Sequence, residues 1–322
     1  MELAADVLRR YVRRSRAWQV MRTELGHLSH AYLLLGGDTM ALDALCDLVC
    51  AGVYCPDVCG RCTECDKVFA HNKIDVVYAN GWGELMKVDG AQHIVEDAQL
   101  GSFEGGKKIY VLRNVDMQPE KVQNILLKTL EEPHDNVLFL LLAASTSGVL
   151  PTVQSRVKTV QWTPFDTHVL AELLQDQGAQ NAEVLARCSG GDLTLAWQLC
   201  ADECYFDHVD EVFEVLCELR TLGQVCLYIG RPLFGKEQLP LTLQIMQNVT
   251  HDLLYWHMGL KNSIIYRMQE EGYARLAQLF GPACLPAISA LIDEADKKVK
   301  CYCAAINVAD SLLAAILEVK KA

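Results

Sequence analysis

The chain has 322 residues, 51% of them apolar and 22% charged, with a net charge of −12 and 14 cysteines. That length provides for two or three domains with a buried core, and the composition is globular, not disordered. So acidic a balance argues against a chain that grips nucleic acid unaided, because phosphate contacts need clustered Lys and Arg.

Residues 1–30 read as helix and loop, with a basic stretch from Arg9 to Arg22 that is expected to be a solvated helix face. The arginines also interrupt any leader-like apolar start. No charge-free apolar run reaches the ~18 residues of a membrane span. A cytoplasmic protein is therefore expected, its cysteines serving as thiols or metal ligands and not as disulfides. Ala31–Leu35 is a short apolar run ending in Gly36-Gly37, the pattern of a buried strand, and a helix is expected over 39–50.

Next comes a cysteine-rich insert, about residues 46–68. Cys50, Cys59, Cys62 and Cys65 have the spacing C-x8-C-x2-C-x2-C. Two-residue gaps let a tight turn place thiolates around one tetrahedral ion, so a closed structural Zn²⁺ site is expected. Cys46 and Cys55 are alternatives to Cys50 as the first ligand. The other cysteines show no site; Cys301 and Cys303 are placed on one helix, facing apart.

A strand is expected over 74–79, then a helix to about Leu100 capped by Asp89, whose carboxylate can accept from the free N–H groups of the first turn. Ile109–Leu112 is a further strand. The helix 119–132 starts at Pro119, whose missing N–H costs nothing in a first turn. Val122, Ile125, Leu126 and Leu130 form its apolar stripe, and Pro133 ends it. Glu131 and Glu132 stand at its negative end, which disfavours carboxylates: either this is a solvated, slightly unfavourable helix end, or something outside the helix needs their charge. Strands over 137–143 and 157–162 complete an α/β pattern: a parallel sheet covered by helices on both faces. Beyond Thr163-Pro164, residues 165–207 read as a small helical unit with a turn at Ser189–Asp192. Residues 208–322 read as helical throughout, with a break near Gly230–Pro240.

After the first strand a phosphate-binding loop would read G-x-x-x-x-G-K-[ST]. In that frame, begun at Gly36, the second glycine is Ala41, the lysine is Leu42 and the hydroxyl is Asp43. An acidic pair should then follow Ile109–Leu112 to hold a metal ion, but Arg113-Asn114 stands there. No ATP binding and no intrinsic ATPase activity are expected.

With these features in hand, the chain resembles the delta-prime branch of the bacterial DNA polymerase III clamp-loader family. The residues that carry the resemblance are Ser29-His30-Ala31, the cysteine spacing, the run Asn124–Pro133 and the run Leu150–Arg156. The resemblance implies an AAA+ domain over 1–164, a helical lid over 165–207 and a helical collar over 208–322. It implies a stator that assembles with gamma/tau-type ATPase subunits and a delta subunit in a heteropentamer, and acts on sliding clamp and primed DNA through that assembly. The family's Ser-Arg-Cys motif falls on Ser155, Arg156 and Val157, a departure at its last position. Arg156 would be an arginine finger acting in trans on a neighbour's ATP. The lid's sensor arginine would fall near Leu195. Two other readings are an ATP-using motor of the same fold, against which Leu42, Asp43 and Arg113 count, and an unrelated zinc-module nucleic-acid binder, against which the acidity counts.

Overall fold

The structure, a computed structural model, describes residues 3–134 and 136–321. The chain divides into two compact units, residues 1–198 and 199–322. In the first, helices α1 (Ala5–Val12) and α2 (Arg16–Glu24) precede β1 (Ala31–Leu35), α3 (Thr39–Tyr54), α4 (Thr63–Phe69), β2 (Val76–Tyr78), α5 (Val88–Asp97) and β3 (Lys108–Leu112). Then come α6 (Glu120–Glu131), β4 (Val137–Ala143), α7 (Pro151–Gln154), β5 (Lys158–Gln161), α8 (Thr167–Asp176), α9 (Ala182–Cys188) and α10 (Leu193–Ala201), whose last residues belong to the second unit.

The five strands form one sheet in the order β2-β3-β4-β1-β5, and every pair is parallel. All residues of β3 and β4 are buried, which is why Ile109–Leu112 and Val137–Ala143 read as unbroken apolar runs: both faces of a parallel sheet are covered. On one face Ala91 and Ile94 of α5 and Val122, Leu126 and Leu130 of α6 pack against Tyr110, Leu112, Phe139 and Leu141. β5 lies at the sheet edge, and only Val160 of its four residues is buried.

Two element starts differ from expectation. Asp89 does not cap α5: Lys87 holds the cap position without a side-chain bond, and Asp89 lies in the first turn, where a carboxylate still favours the helix dipole. Pro119 is the cap residue of α6, one position before the first helical residue.

The N-terminal arginines do more than coat a solvated face. Arg9 pairs with Asp47 at 3.9 Å and lies over the Phe69 ring at 4.0 Å. Arg10 reaches Asp176 at 2.5 Å and Arg14 reaches Glu172 at 3.3 Å, both on α8. Arg13 donates to the carbonyl of Val58 in the cysteine insert. The pairs with α8 are largely solvent-exposed, so each contributes little by itself.

The second unit is helical: α11 (Tyr205–Glu218), α12 (Leu222–Tyr228), α13 (Leu239–His257), α14 (Glu270–Leu279), α15 (Leu285–Lys300) and α16 (Ala305–Lys321). Residue 208, the expected domain start, falls inside α11. The buried Asp252 on α13 ties this unit together. It accepts from the backbone N–H groups of Ile265 (2.9 Å) and Tyr266 (3.1 Å) and from the hydroxyl of Tyr273 (2.6 Å). Cys301 and Cys303 do not share a helix: Cys301 caps the end of α15 and Cys303 lies in the link to α16, both exposed. Among the described residues no helix is long and apolar enough to cross a membrane.

Candidate functional site

The carboxyl ends of β1 and β3 carry the two segments that a nucleotide would meet. Gly36 follows β1, but its N–H donates to the carbonyl of Ala143 at 2.9 Å. A Cβ at Gly36 would stand 2.8 Å from that of Trp162, so this glycine serves close packing. Ala41 and Leu42, where the second glycine and the lysine would stand, are completely buried. Asp43 and Arg113 are joined. The Arg113 Nε donates to Asp43 Oδ1 at 2.8 Å, and the Trp82 indole N–H donates to Oδ2 at 2.7 Å. Burial works to lower the Arg113 pKa, but Asp43 outweighs it and holds the guanidinium charged. The positions of a metal-holding hydroxyl and a metal-holding acid are thus occupied by an ion pair. A triphosphate there would face Asp43, and Arg113 is already neutralised.

The loop between β1 and α3 has a second anion, which the sequence reading missed. Asp38 is 2% exposed. Its carboxylate accepts from the N–H groups of Ala41 (3.1 Å), Leu193 (2.8 Å) and Thr194 (3.3 Å), and from the Thr194 hydroxyl (2.8 Å). Burial raises its pKa, and the nearby Asp192 adds to the rise. Leu195, the expected place of the lid's sensor arginine, sits in the first turn of α10, its N–H donating to Asp192 Oδ1 at 2.9 Å. Gly191 makes the preceding turn possible: its φ is +90°, and a Cβ there would meet the carbonyl oxygen of Phe165 at 2.1 Å.

Arg156 lies at the other rim. It follows α7 and precedes the amino end of β5, whereas Gly36 and Arg113 follow the carboxyl ends of parallel strands. Its guanidinium donates to the Thr152 carbonyl (2.8 Å) and to the Ser155 hydroxyl (3.0 Å), and pairs with Glu131 at 2.5 Å. The charge wanted outside the end of α6 is therefore that of Arg156. Both side chains remain partly exposed, so the pair is open to exchange for another anion. Gln123, a buried polar residue on the inner side of α6, holds the approach to this arginine. It accepts from Leu150 N–H (2.9 Å) and donates to the carbonyls of Gln118 (3.0 Å) and Gly148 (2.9 Å). A glutamine beside the apolar stripe of α6 was the sequence signal for it.

The cysteine insert gathers Cys55, Cys59, Cys62 and Cys65, with their sulfur atoms all within 4.8 Å of one another. Cys50 stands outside that cluster, which corrects the expected ligand set. The reason is the length of α3. The helix runs on to Tyr54, so Cys50 stays on its buried side next to Cys46, and Cys55 is the first thiol past the helix end. Cys62 caps α4, its sulfur accepting from Cys65 N–H at 3.5 Å. The Arg61 N–H, with help from Cys62, lowers the Cys59 thiol to about 7. Cys55 and Cys59 sulfurs are 3.8 Å apart. Tetrahedral Zn–S bonds of about 2.3 Å require sulfur separations of about 3.8 Å. The donor set thus fits a metal such as zinc.

A family model described as "DNA polymerase III, delta subunit" matches residues 14–166. DNA polymerase III subunit delta′ of Bacillus subtilis is 26% identical over 258 residues, 76% of this chain and 77% of that one. The delta′ subunit of Haemophilus influenzae is 29% identical over 167 residues, half of each chain. The tau subunit of Escherichia coli is 27% identical over 188 residues, 54% of this chain and 29% of tau. The chain is a relative of the DNA polymerase III delta′ subunits, 26–29% identical over half to three-quarters of its length.

One pH-sensitive contact lies behind the Asp43–Arg113 pair. His71 bonds Asp47 at 3.2 Å and stacks on Tyr78, ring centroids 4.3 Å apart. The bond to Asp47 raises the His71 pKa above its ordinary 6.5, against the opposing effect of burial. A raised histidine contributes stability that is fully present below its unfolded value and is lost as pH rises through its folded value. The Tm advantage of the wild type over His71→Phe is therefore expected to be constant below about pH 6 and to shrink as the pH rises past 6.5. An advantage that stays constant through that rise would show that stacking alone holds His71.

Proposed function

We propose that this chain is a non-hydrolysing, stator-type subunit of a DNA polymerase III clamp loader. It assembles with gamma/tau-type ATPase subunits and a delta subunit, and it acts on sliding clamp and primed DNA through that assembly. Residues 165–207 serve as its lid and residues 208–322 as its collar. Arg156, with Ser155 beside it, is offered in trans to the ATP of a neighbouring subunit. The Cys55–Cys65 cluster holds a structural zinc ion that stiffens the insert.

The observation that carries this reading is the Asp43–Arg113 ion pair. It closes the chain's own nucleotide position, while Arg156 stands on the opposite rim of the sheet, where it cannot serve that position. A motor subunit of the same fold needs a lysine and a metal-holding hydroxyl where Leu42 and Asp43 stand. Titration of the isolated chain with ATP and Mg²⁺ is expected to show no binding at millimolar nucleotide, and native mass measurement with the ATPase subunits is expected to show co-assembly. Saturable ATP binding at micromolar concentration would restore the motor reading.

A further inference from the structure

We propose that Asp38 is an internal stand-in for a phosphate group: its carboxylate occupies the meeting point of two helix N-termini and latches the lid helix α10 onto α3. The inference rests on the reading of the loop as one that takes no nucleotide.

The amino end of a helix leaves N–H groups without partners and carries partial positive charge, which makes it an anion site. Two such ends converge here, from α3 with 16 residues and α10 with nine. Asp38 answers both. Oδ1 accepts from Ala41 N–H of α3 and from Thr194 of α10, and Oδ2 accepts from Leu193 N–H of α10. The joined segments lie 155 residues apart in the chain. Thr194 adds a second tie, because its hydroxyl accepts from Met40 N–H at 3.0 Å while donating to Asp38.

An ordinary cap serves one helix, and α10 already has its own: Asp192 accepts from Leu195 N–H. A second carboxylate beside Asp192 carries a like-charge and a burial cost. That cost is offset only because the same group satisfies α3 and α10 together. A nucleotide phosphate at this spot would draw on the N–H donors that Asp38 has taken. Asp43 and Arg113 block the loop further along; Asp38 blocks it at its start and at the same time fixes the lid. The lid position is then set by covalently attached charge and does not depend on a bound ligand, which suits a subunit that gives its neighbours a constant surface.

The test uses the full chain and Asp38→Ser. Serine still caps α3, but it is too short to reach α10 and leaves room for an anion. Hydrogen exchange at the amides of Leu193–Leu195 is expected to quicken roughly tenfold or more in the variant, the loss of charge-assisted bonds, with strands β1, β3 and β4 still protected. Inorganic phosphate is expected to restore much of that protection and to raise the Tm of the variant, while leaving wild type unchanged. Thr194→Val should give a smaller loss at the same amides. Unchanged exchange at 193–195 in Asp38→Ser overturns the latch, and a loss that phosphate does not reverse overturns the phosphate-like role. If Asp38→Ser loses protection across the whole sheet, the comparison passes to Thr194→Val, for which exchange equal to wild type overturns the latch. Tight ATP binding by the wild-type chain, by contrast, overturns the stator reading and leaves the exchange comparison to decide the latch.

Discussion

Cys55→Ser is expected to release the metal from the purified chain, and Cys50→Ser is expected to keep it. Metal analysis of the two variants decides the matter, with one zinc per chain as the reference. The geometry makes the difference large. Removing an outer partner of a metal ligand costs roughly 10–100-fold in affinity, and removing a ligand itself costs more. Because ordering the ligands and folding the insert are one event, the loss reaches beyond the ion. Residues 55–65 of Cys55→Ser should be cut readily by protease, whereas α3, buried against the sheet, stays intact. Val58 and Gly60 are held at positive φ between the ligands, a conformation that Val58 in particular adopts only under constraint. Cys50→Ser carries an ordinary core cost, since a hydroxyl replaces a buried thiol beside Cys46. Metal lost from Cys50→Ser and retained by Cys55→Ser would mean that the last turn of α3 unwinds to bring Cys50 to the ion.

The second large effect concerns Arg156. In the assembled loader, Arg156→Ala is expected to lower the DNA-stimulated ATPase rate at the site it faces by about 10³-fold or more, the range known for arginine fingers supplied in trans. Assembly itself should persist, because the arginine's contacts within the chain are limited to Thr152, Ser155 and Glu131 at a partly exposed spot. Arg156→Lys is expected to recover little, since a point charge cannot replace a planar, forked donor. An Arg156→Ala loader with wild-type ATPase and clamp loading would reduce this residue to a surface ion pair with Glu131.

The cost of Glu131 at the end of α6 bears on the same residue. A carboxylate there opposes the helix dipole, and Lys128, one turn earlier, offsets only part of that. The 2.5 Å contact with Arg156 accounts for the charge without invoking any partner. The pair holds the guanidinium near its own chain.

Much of the fold was legible in residue order. Apolar runs such as Val137–Ala143 identify strands buried on both faces, and the α6 stripe with Pro119 and Pro133 identifies a helix and its ends, because these signals depend on neighbours only a few positions away. The departure from the phosphate-loop pattern was equally plain, since Leu42 and Asp43 stand where that pattern has a lysine and a hydroxyl. The clamp-loader likeness was carried by short motifs, and relatives with 26–29% identity agree with it.

What residue order left open depended on where a helix stops or on what lies far away in the chain. Cys50 and Cys55 have equal chemistry, and only the reach of α3 to Tyr54 selects between them. Nothing near Asp38 in the sequence marks its role, because the fold brings Leu193 and Thr194 to it from 155 and 156 positions away. The arginines from Arg9 to Arg14 read as a solvated face until α8 and the insert arrived opposite them. The sequence by itself determined which side chains stand at the phosphate-loop positions, because folding cannot change what a residue is. The tertiary structure decided which of the remaining charges and thiols act together, because hydrogen bonds and metal ligands depend on distance in space, and the chain sets that only by closing on itself.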